Sequence, residues 1–238
     1  MKSILNIILF FVDFNHKNKI IRFFKHKLKD KALTIIDVGA HVGETISLFS
    51  KNFDIEQMIC YEASRLNFDK LNKSKNFKNF NIVLNNIALG SKETELEFFQ
   101  TSESSSSTFC KIDQNSNYFK RKKKILKIFN QKDYILKSEL IKVTTLKNEF
   151  NKYNLRHVDI LKIDTEGFEF DVMKGADESL KSVNFILFEH HYDQMIIKNY
   201  KFSQINQYLR KLNFKKIIKL KMPFRKTFEY IYVNENFK

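Results

Sequence analysis

The sequence has no tryptophan, one proline (Pro223) and two cysteines in 238 residues. Cys60 and Cys110 each stand alone, without the C-x-x-C spacing of a zinc site and too few for a disulfide framework, so a reducing compartment is expected. The amino-terminal apolar stretch, Ile4–Val12, is interrupted by Asn6 and falls well short of the ~20 residues a bilayer span needs. Only Lys2 precedes it and no small-residue cleavage site follows, which argues against a secretory signal and for a cytoplasmic location. Also missing are the dinucleotide fingerprint G-x-G-x-x-G and the Gly-Lys-Ser/Thr that closes a P-loop.

Positive charge, by contrast, is in excess. Lys+Arg number 42 against 27 Asp+Glu, a net +15, which ordinarily points to nucleic acid, a membrane surface or an acidic substrate. Abundant Lys, Asn, Ile and Phe is equally the signature of AT-rich coding, so the charge by itself names no partner. Residues 1–31 read as a basic amphipathic helical extension, with Ile20, Ile21, Phe23 and Phe24 set among the bases from Lys17 to Lys31. It is either a cap packed on the domain, the preferred reading, or a peripheral contact with the inner face of a membrane. Residues 32–238 suit one α/β domain with room for a full core.

That domain is organised around Leu33–Ser50. Leu33, Ile35, Ile36 and Val38 form a buried-type strand ending at Asp37 and Gly39, and from Val42 the spacing of Ile46, Phe49 and Phe53 predicts a helix. Gly39 and Gly43 bracket the turn, with Ala40 and His41 between them, where backbone can approach a ligand. A second strand, Gln57–Tyr61, delivers Glu62 close to the ~20-residue offset at which an acid meets a ribose. A nucleoside without a pyrophosphate fits this pattern. S-adenosylmethionine is one, its carboxylate at the helix amino end and its ribose diol on Glu62.

Further along, Ser64 is placed to cap a helix, and Asn81–Leu89 reads as a third strand with Asn85 or Asn86 a candidate adenine contact or a simple turn pair. Glu93–Gln100 reads as another strand and Ser102–Thr108 as a serine-rich linker. The run KRKKKILK is a solvated insertion or a clamp for an anionic substrate. Strand Val158–Ile163 brings Asp164 and Glu166 to its carboxyl end, and strand Val183–Phe188 ends in Glu189, His190 and His191. Ligands of open α/β sheets bind outside those ends, so these groups gather at one rim. Ser203 is placed to cap a last helix, and two strands meeting near Pro223 close the chain as a hairpin.

Five ordered motifs carry a resemblance: DVGAHVGET at Asp37–Thr45, YEASRLNFDKL at Tyr61–Leu71, NIALG at Asn86–Gly90, LKIDTEGFEFDVMKGA at Leu161–Ala176 and FEHH at Phe188–His191. From about Ile35 to Tyr192 the chain resembles the FkbM family of class I S-adenosylmethionine-dependent methyltransferases. The resemblance implies a Rossmann-like fold: a mostly parallel seven-stranded sheet with helices on both faces and a C-terminal antiparallel hairpin. It further implies methyl transfer, mainly to oxygen on sugars, glycans or natural products. Two departures stand out: His41 where the family commonly has Asn, and Lys147 after Thr145 and Leu146 where members often have Asp.

Cofactor contacts are expected from Asp37, Gly39, Ala40, His41, Gly43, Glu62, Asn86 and Asp164. His190 or His191 is the expected general base, with Asp164 next. No metal is assigned in the main reading; a variant places Mg²⁺ among Asp164, Glu189 and His190. The expected partner is a small-molecule or glycan substrate rather than nucleic acid. Two alternatives are an RNA- or DNA-directed methyltransferase and a non-catalytic glycan-binding module at a membrane surface. One proline excludes the Asp/Asn-Pro-Pro-Tyr loop of many exocyclic-amine methylases.

Overall fold

A computed structural model describes residues 2–29, 31–74, 77, 80–128, 134–223 and 225–237, with the side chains of 2–14 and 125–128 outside the description. The Ile4–Val12 stretch therefore enters as helical backbone only, and the carboxyl-terminal part of the KRKKKILK run likewise. The central sheet is built from β1 (Leu33–Val38), β2 (Ile55–Tyr61), β3 (Ile82–Asn85), β8 (Val158–Ile163), β9 (Val183–His191), β11 (Phe214–Lys221) and β12 (Thr227–Asn234). Their order is β3-β2-β1-β8-β9-β12-β11, with β1, β2, β3, β8 and β9 pairing in parallel and β12 antiparallel to both neighbours. The chain leaves β1 in one direction through β2 and β3, then returns to β1's other side as β8. That reversal opens a crevice between β1 and β8 at their carboxyl ends.

Both faces of the sheet are covered, as strands this apolar require. Ile36 and Val38 join one cluster with Val172, Met173, Ile205 and Leu209, under α5 (Leu146–Lys152), α6 (Glu169–Ala176) and α7 (Phe202–Lys211). Leu33 and Ile35 point the other way, into a cluster with Ile46 and Phe49 of α2 (Glu44–Ser50). Into that second cluster α1 (Lys2–Lys27) inserts Ile20, Ile21 and Phe24, the last ring lying edge-on to Phe185 with 5.6 Å between centroids. The described half of α1 is amphipathic: His16, Ile20, Ile21 and Phe24 are buried while Lys19, Arg22 and Lys25 are exposed. Among the described residues no helix is long and apolar enough to cross a membrane.

Three departures from the expected elements have local causes. The strand expected over Asn81–Leu89 breaks in two: β3 ends at Asn85, and β4 (Ala88–Gly90) joins a separate sheet of order β4-β7-β5 with β5 (Thr94–Thr101) and β7 (Ile135–Thr145). Asn86 sits at the break, its Nδ2 donating to the Glu62 carbonyl at 2.8 Å and so tying the chain to the end of β2. The last helix begins before Ser203, because Gln204 Oε1 accepts the Lys201 N–H at 2.8 Å and caps it there. Finally, KRKKKILK, read as a solvated insertion or a clamp with no element assigned, lies in a helix, α4 (Asn117–Ile128). Ser64 does cap α3 (Arg65–Lys73), accepting the Asn67 N–H at 3.3 Å.

Two motifs separated in sequence meet in the core. A Cβ on Gly175 of α6 would stand 1.9 Å from the Gly90 carbonyl oxygen, so only glycine lets α6 lie against β4.

Candidate functional site

At the carboxyl ends of β1, β2, β8 and β9 lies a cavity of about 270 Å³. The turn after β1 forms its floor. Gly39 is held at φ +87°, and a Cβ there would lie 1.9 Å from the Asp164 carbonyl oxygen. Glycine is thus required by the neighbouring strand end. Gly43, at φ +97° with Phe77 and Leu71 packed against it, is absent from the cavity wall.

Glu62 is the anchor of the site. It is buried, lines the cavity, and takes the His41 N–H on Oε2 at 2.7 Å and the Ser64 N–H on Oε1 at 2.8 Å. Burial pushes its carboxyl up to about 7, against the lowering pull of those two N–H groups. A carboxylate offers about four lone-pair positions, so after two backbone bonds it retains acceptor capacity toward the cavity. His41, at φ +50°, links the turn outward: Nδ1 pairs with Glu44 Oε1 at 2.9 Å and Nε2 with Ser104 Oγ at 2.8 Å. Burial would lower the His41 pKa, yet the Glu44 bond and charge raise it. Glu44 also places a negative charge in the first turn of α2, which disfavours the expected seat for a ligand carboxylate there.

Asp37 is buried beneath the cavity and is not on its wall. Its Oδ1 accepts from Lys162 Nζ at 3.2 Å while Oδ2 has no hydrogen-bond partner among the described residues. Burial raises its pKa more than Lys162 lowers it. Lys162 does reach the wall; burial opposes its charge, but Asp37 and Asp164 raise its pKa on balance. Below the same wall His16 of α1 bonds to Glu229 of β12. Asn86 also lies off the wall and acts on the Glu62 and Ala63 carbonyls.

The acidic rim comes from β8 and β9. Asp164, anchored by its N–H to the Val38 carbonyl at 2.9 Å, lines the cavity with Glu166 and Glu189. Glu169 shapes this loop from below, accepting the Gly167 N–H at 2.8 Å on Oε1 and the Tyr200 hydroxyl at 2.7 Å on Oε2. Burial raises the pKa values of Glu166 and Glu189, and the His191 charge partly offsets this. For His191 burial lowers the pKa, but Glu166, Asp193 and Glu189 outweigh it and hold it well above the usual range.

The two expected histidine bases separate. His190 is buried among the rings of Tyr192, Tyr200 and Phe202, 4.8–5.9 Å away between centroids, and is not on the wall. Burial pushes its pKa down to about 3. His191 lies behind Glu166 and Glu189 without lining the cavity. The Mg²⁺ set of Asp164, Glu189 and His190 is therefore not assembled, because alternate side chains of one strand face opposite ways.

Several wall residues carry no signal in sequence. Ser104, Ser105 and Ser107 line the cavity from a 3-10 turn in the stretch expected to be a linker. Lys122 of α4 braces that turn through Glu103 and through Ser106 Oγ at 3.1 Å. Arg225 enters the wall from the β11–β12 connection, its pKa raised by Glu189 and Glu166 against burial.

Residues 37–216 match the methyltransferase FkbM domain. No curated protein matches the sequence. Among solved structures, the magnesium protoporphyrin IX methyltransferase ChlM from Synechocystis PCC 6803 with bound SAM is similar at a TM-score of 0.51 and 9% identity, over 92% of this chain and 78% of that one. The METTL16 MTase domain is similar at 0.53 and 10% identity, over 94% and 67%. At these identities the likeness is one of fold. The FkbM match, by contrast, takes in the glycine turn, the Glu62 strand end and the Asp164–Glu189 rim, and the chain belongs to the FkbM family of S-adenosylmethionine-dependent methyltransferases.

Proposed function

We propose that the chain methylates a hydroxyl oxygen on a sugar, glycan or natural product, in the cavity between Glu62 and the acidic rim. The observation that carries this reading is the buried Glu62 carboxylate, fixed by two backbone N–H groups and facing the same cavity as Asp164. S-adenosylmethionine, which the Synechocystis enzyme carries, supplies an already activated methyl on sulfur. Glu62 fits it: a fixed acceptor with spare lone pairs suits a ribose diol, and the Gly39–His41 turn lines the cavity beside it. Fixing the donor in this way serves in-line geometry, worth ~7 kcal/mol or more of the barrier when fully realised.

Asp164, which lines the same cavity, is assigned to take the hydroxyl proton, a role worth ~10²–10⁴-fold. The test is incubation with methyl-labelled S-adenosylmethionine and a glycan and metabolite extract of the source cells, followed by identification of the labelled product. Asp164→Asn is expected to cut turnover about 10²-fold or more while S-adenosylhomocysteine still binds. Label appearing only in RNA, or full turnover in the Asn variant, overturns the acceptor class or the role of Asp164 respectively.

A further inference from the structure

Behind the rim, Glu166, Glu189 and His191 bring one potential ligand atom each within 4.8 Å of one another, all three residues buried. His191 Nε2 lies 3.1 Å from Glu166 Oε2 and 3.2 Å from Glu189 Oε1. Ligands held ~2.0–2.2 Å from a small divalent ion at near-right angles stand ~3 Å apart, so these separations are those of two edges of a coordination shell. Apart from these ion pairs, neither Glu189 Oε1 nor His191 Nε2 has a hydrogen-bond partner among the described residues, although both are buried.

The other nitrogen of His191 is engaged. Nδ1 lies 3.3 Å from Asp193 Oδ2 and 3.2 Å from Thr227 Oγ1, and Asp193 is itself fixed through Oδ1 by the Met195 N–H at 2.9 Å. A carboxylate on Nδ1 keeps a proton there, so that when the Nε2 proton leaves, the lone pair exposed is the one that faces Glu166 and Glu189. This is the arrangement by which an outer carboxylate orients a metal-bound imidazole. Without a metal the charged imidazole bridges the two carboxylates through its Nε2 proton, and a divalent cation takes that proton's place between them. Charges facing the cluster are the carboxylates of Asp164 and Asp193 and the guanidinium of Arg225, while Lys122 is paired with Glu103 and Lys198 donates to the His191 carbonyl. Negative charge remains in excess.

We propose that Glu166, Glu189 and His191 form a divalent-cation site whose open positions face the cavity, through the wall that Glu166 and Glu189 contribute. One imidazole with two carboxylates suits a first-row ion such as Mn²⁺. Adjacent oxygens of the acceptor complete the shell; only this last clause rests on the proposed methyl transfer.

The experiment titrates MnCl₂ into full-length protein freed of metal by EDTA and dialysis. Free Mn²⁺ is followed by electron paramagnetic resonance, and S-adenosylhomocysteine binding is measured separately by calorimetry. A single saturable Mn²⁺ site is expected, weakened about tenfold or more in H191A and E189Q and about 10–100-fold in D193N. S-adenosylhomocysteine affinity in H191A and D193N is expected to stay within a few-fold of wild type. Protein that binds S-adenosylhomocysteine but no Mn²⁺ overturns the metal site and leaves the methyltransferase reading standing. Equal Mn²⁺ affinity in wild type and variants also overturns it. Mn²⁺ binding without S-adenosylhomocysteine binding counts against the transfer reading alone. If H191A does not fold, E189Q and D193N carry the same comparison.

Discussion

Glu62 concentrates the residue-scale physics of the site. Its carboxyl is pushed up to about 7 by burial, so it changes charge within the working range of most enzymes. Above that value it is ionised and accepts from hydroxyls; below it one oxygen carries a proton and acceptor capacity is lost. S-adenosylhomocysteine affinity is therefore expected to fall as pH drops through about 7, by up to ~tenfold per unit. E62Q should flatten that profile and weaken binding by about 10–100-fold, the ~1.5–3 kcal/mol of hydrogen bonds to a charged group. His41 titrates beside it, and the glutamine variant separates the two. Stability moves with the opposite sign: the fold holds the Glu62 proton more tightly than the unfolded chain, so its contribution declines as pH rises from the ordinary glutamate value of 4.5 toward about 7. Calorimetry from pH 5.5 to 8.5 decides the binding claim, and a flat wild-type profile sinks it. This residue was legible in sequence because a strand end and a chain offset place it. The two backbone N–H groups that hold that rise in check were not, since the Ser64 N–H and the His41 turn meet only through the β1–β2 pairing.

At the scale of elements, the rim shows where sequence reading stops. The polar end of β9 was visible after Val183–Phe188, but a run buried on both faces has no alternation from which to tell which of Glu189, His190 and His191 faces the ligand. The structure gives the phase: Glu189 and His191 share one side, and His190 faces the aromatic rings packed by α7. H190F is accordingly expected to fold, to bind S-adenosylhomocysteine within about twofold of wild type and to retain turnover, because phenylalanine suits an aromatic cage and ends the isolation of the unpartnered Nδ1. Steady-state kinetics with the identified acceptor checks this, and a fall of about 10²-fold would return His190 to the chemistry. The serine turn was missed for a related reason. Its composition is that of a linker, and its place on the wall depends on the β4-β7-β5 sheet carrying Ser104 to His41. The family motifs located β1, β2 and β8 well; they mixed wall residues such as Ala40 with packing residues such as Gly90 and Gly175, where β4 and α6 lie against each other.

Across the whole molecule the dominant physical fact is the net charge of +15. The exposed bases lie on separate elements: Lys19, Arg22 and Lys25 on α1, Lys120, Arg121, Lys123 and Lys124 on α4, and Lys215, Lys216, Lys219 and Lys221 on β11. A dispersed excess repels itself in the compact state and is relieved by counter-ions, because the Debye length shrinks to ~8 Å at physiological ionic strength. Working against this are exposed ion pairs such as Lys147–Asp177, Lys137–Glu139 and Arg65–Asp69, which salt weakens. Each contributes ~0–1 kcal/mol, and all are solvated enough to be small. Self-repulsion acts over every pair of unpartnered bases and therefore wins. The melting temperature is expected to rise between about 20 and 300 mM NaCl, with chloride and glutamate salts giving the same trend, since screening and not a bound anion is responsible. A charge built for one polyanion would behave differently: a short phosphate oligomer would raise the melting temperature saturably at a fixed stoichiometry, and added salt would lower it back. Differential scanning calorimetry across the two series distinguishes the cases, and a melting temperature that falls with NaCl alone shows that the ion pairs outweigh the repulsion.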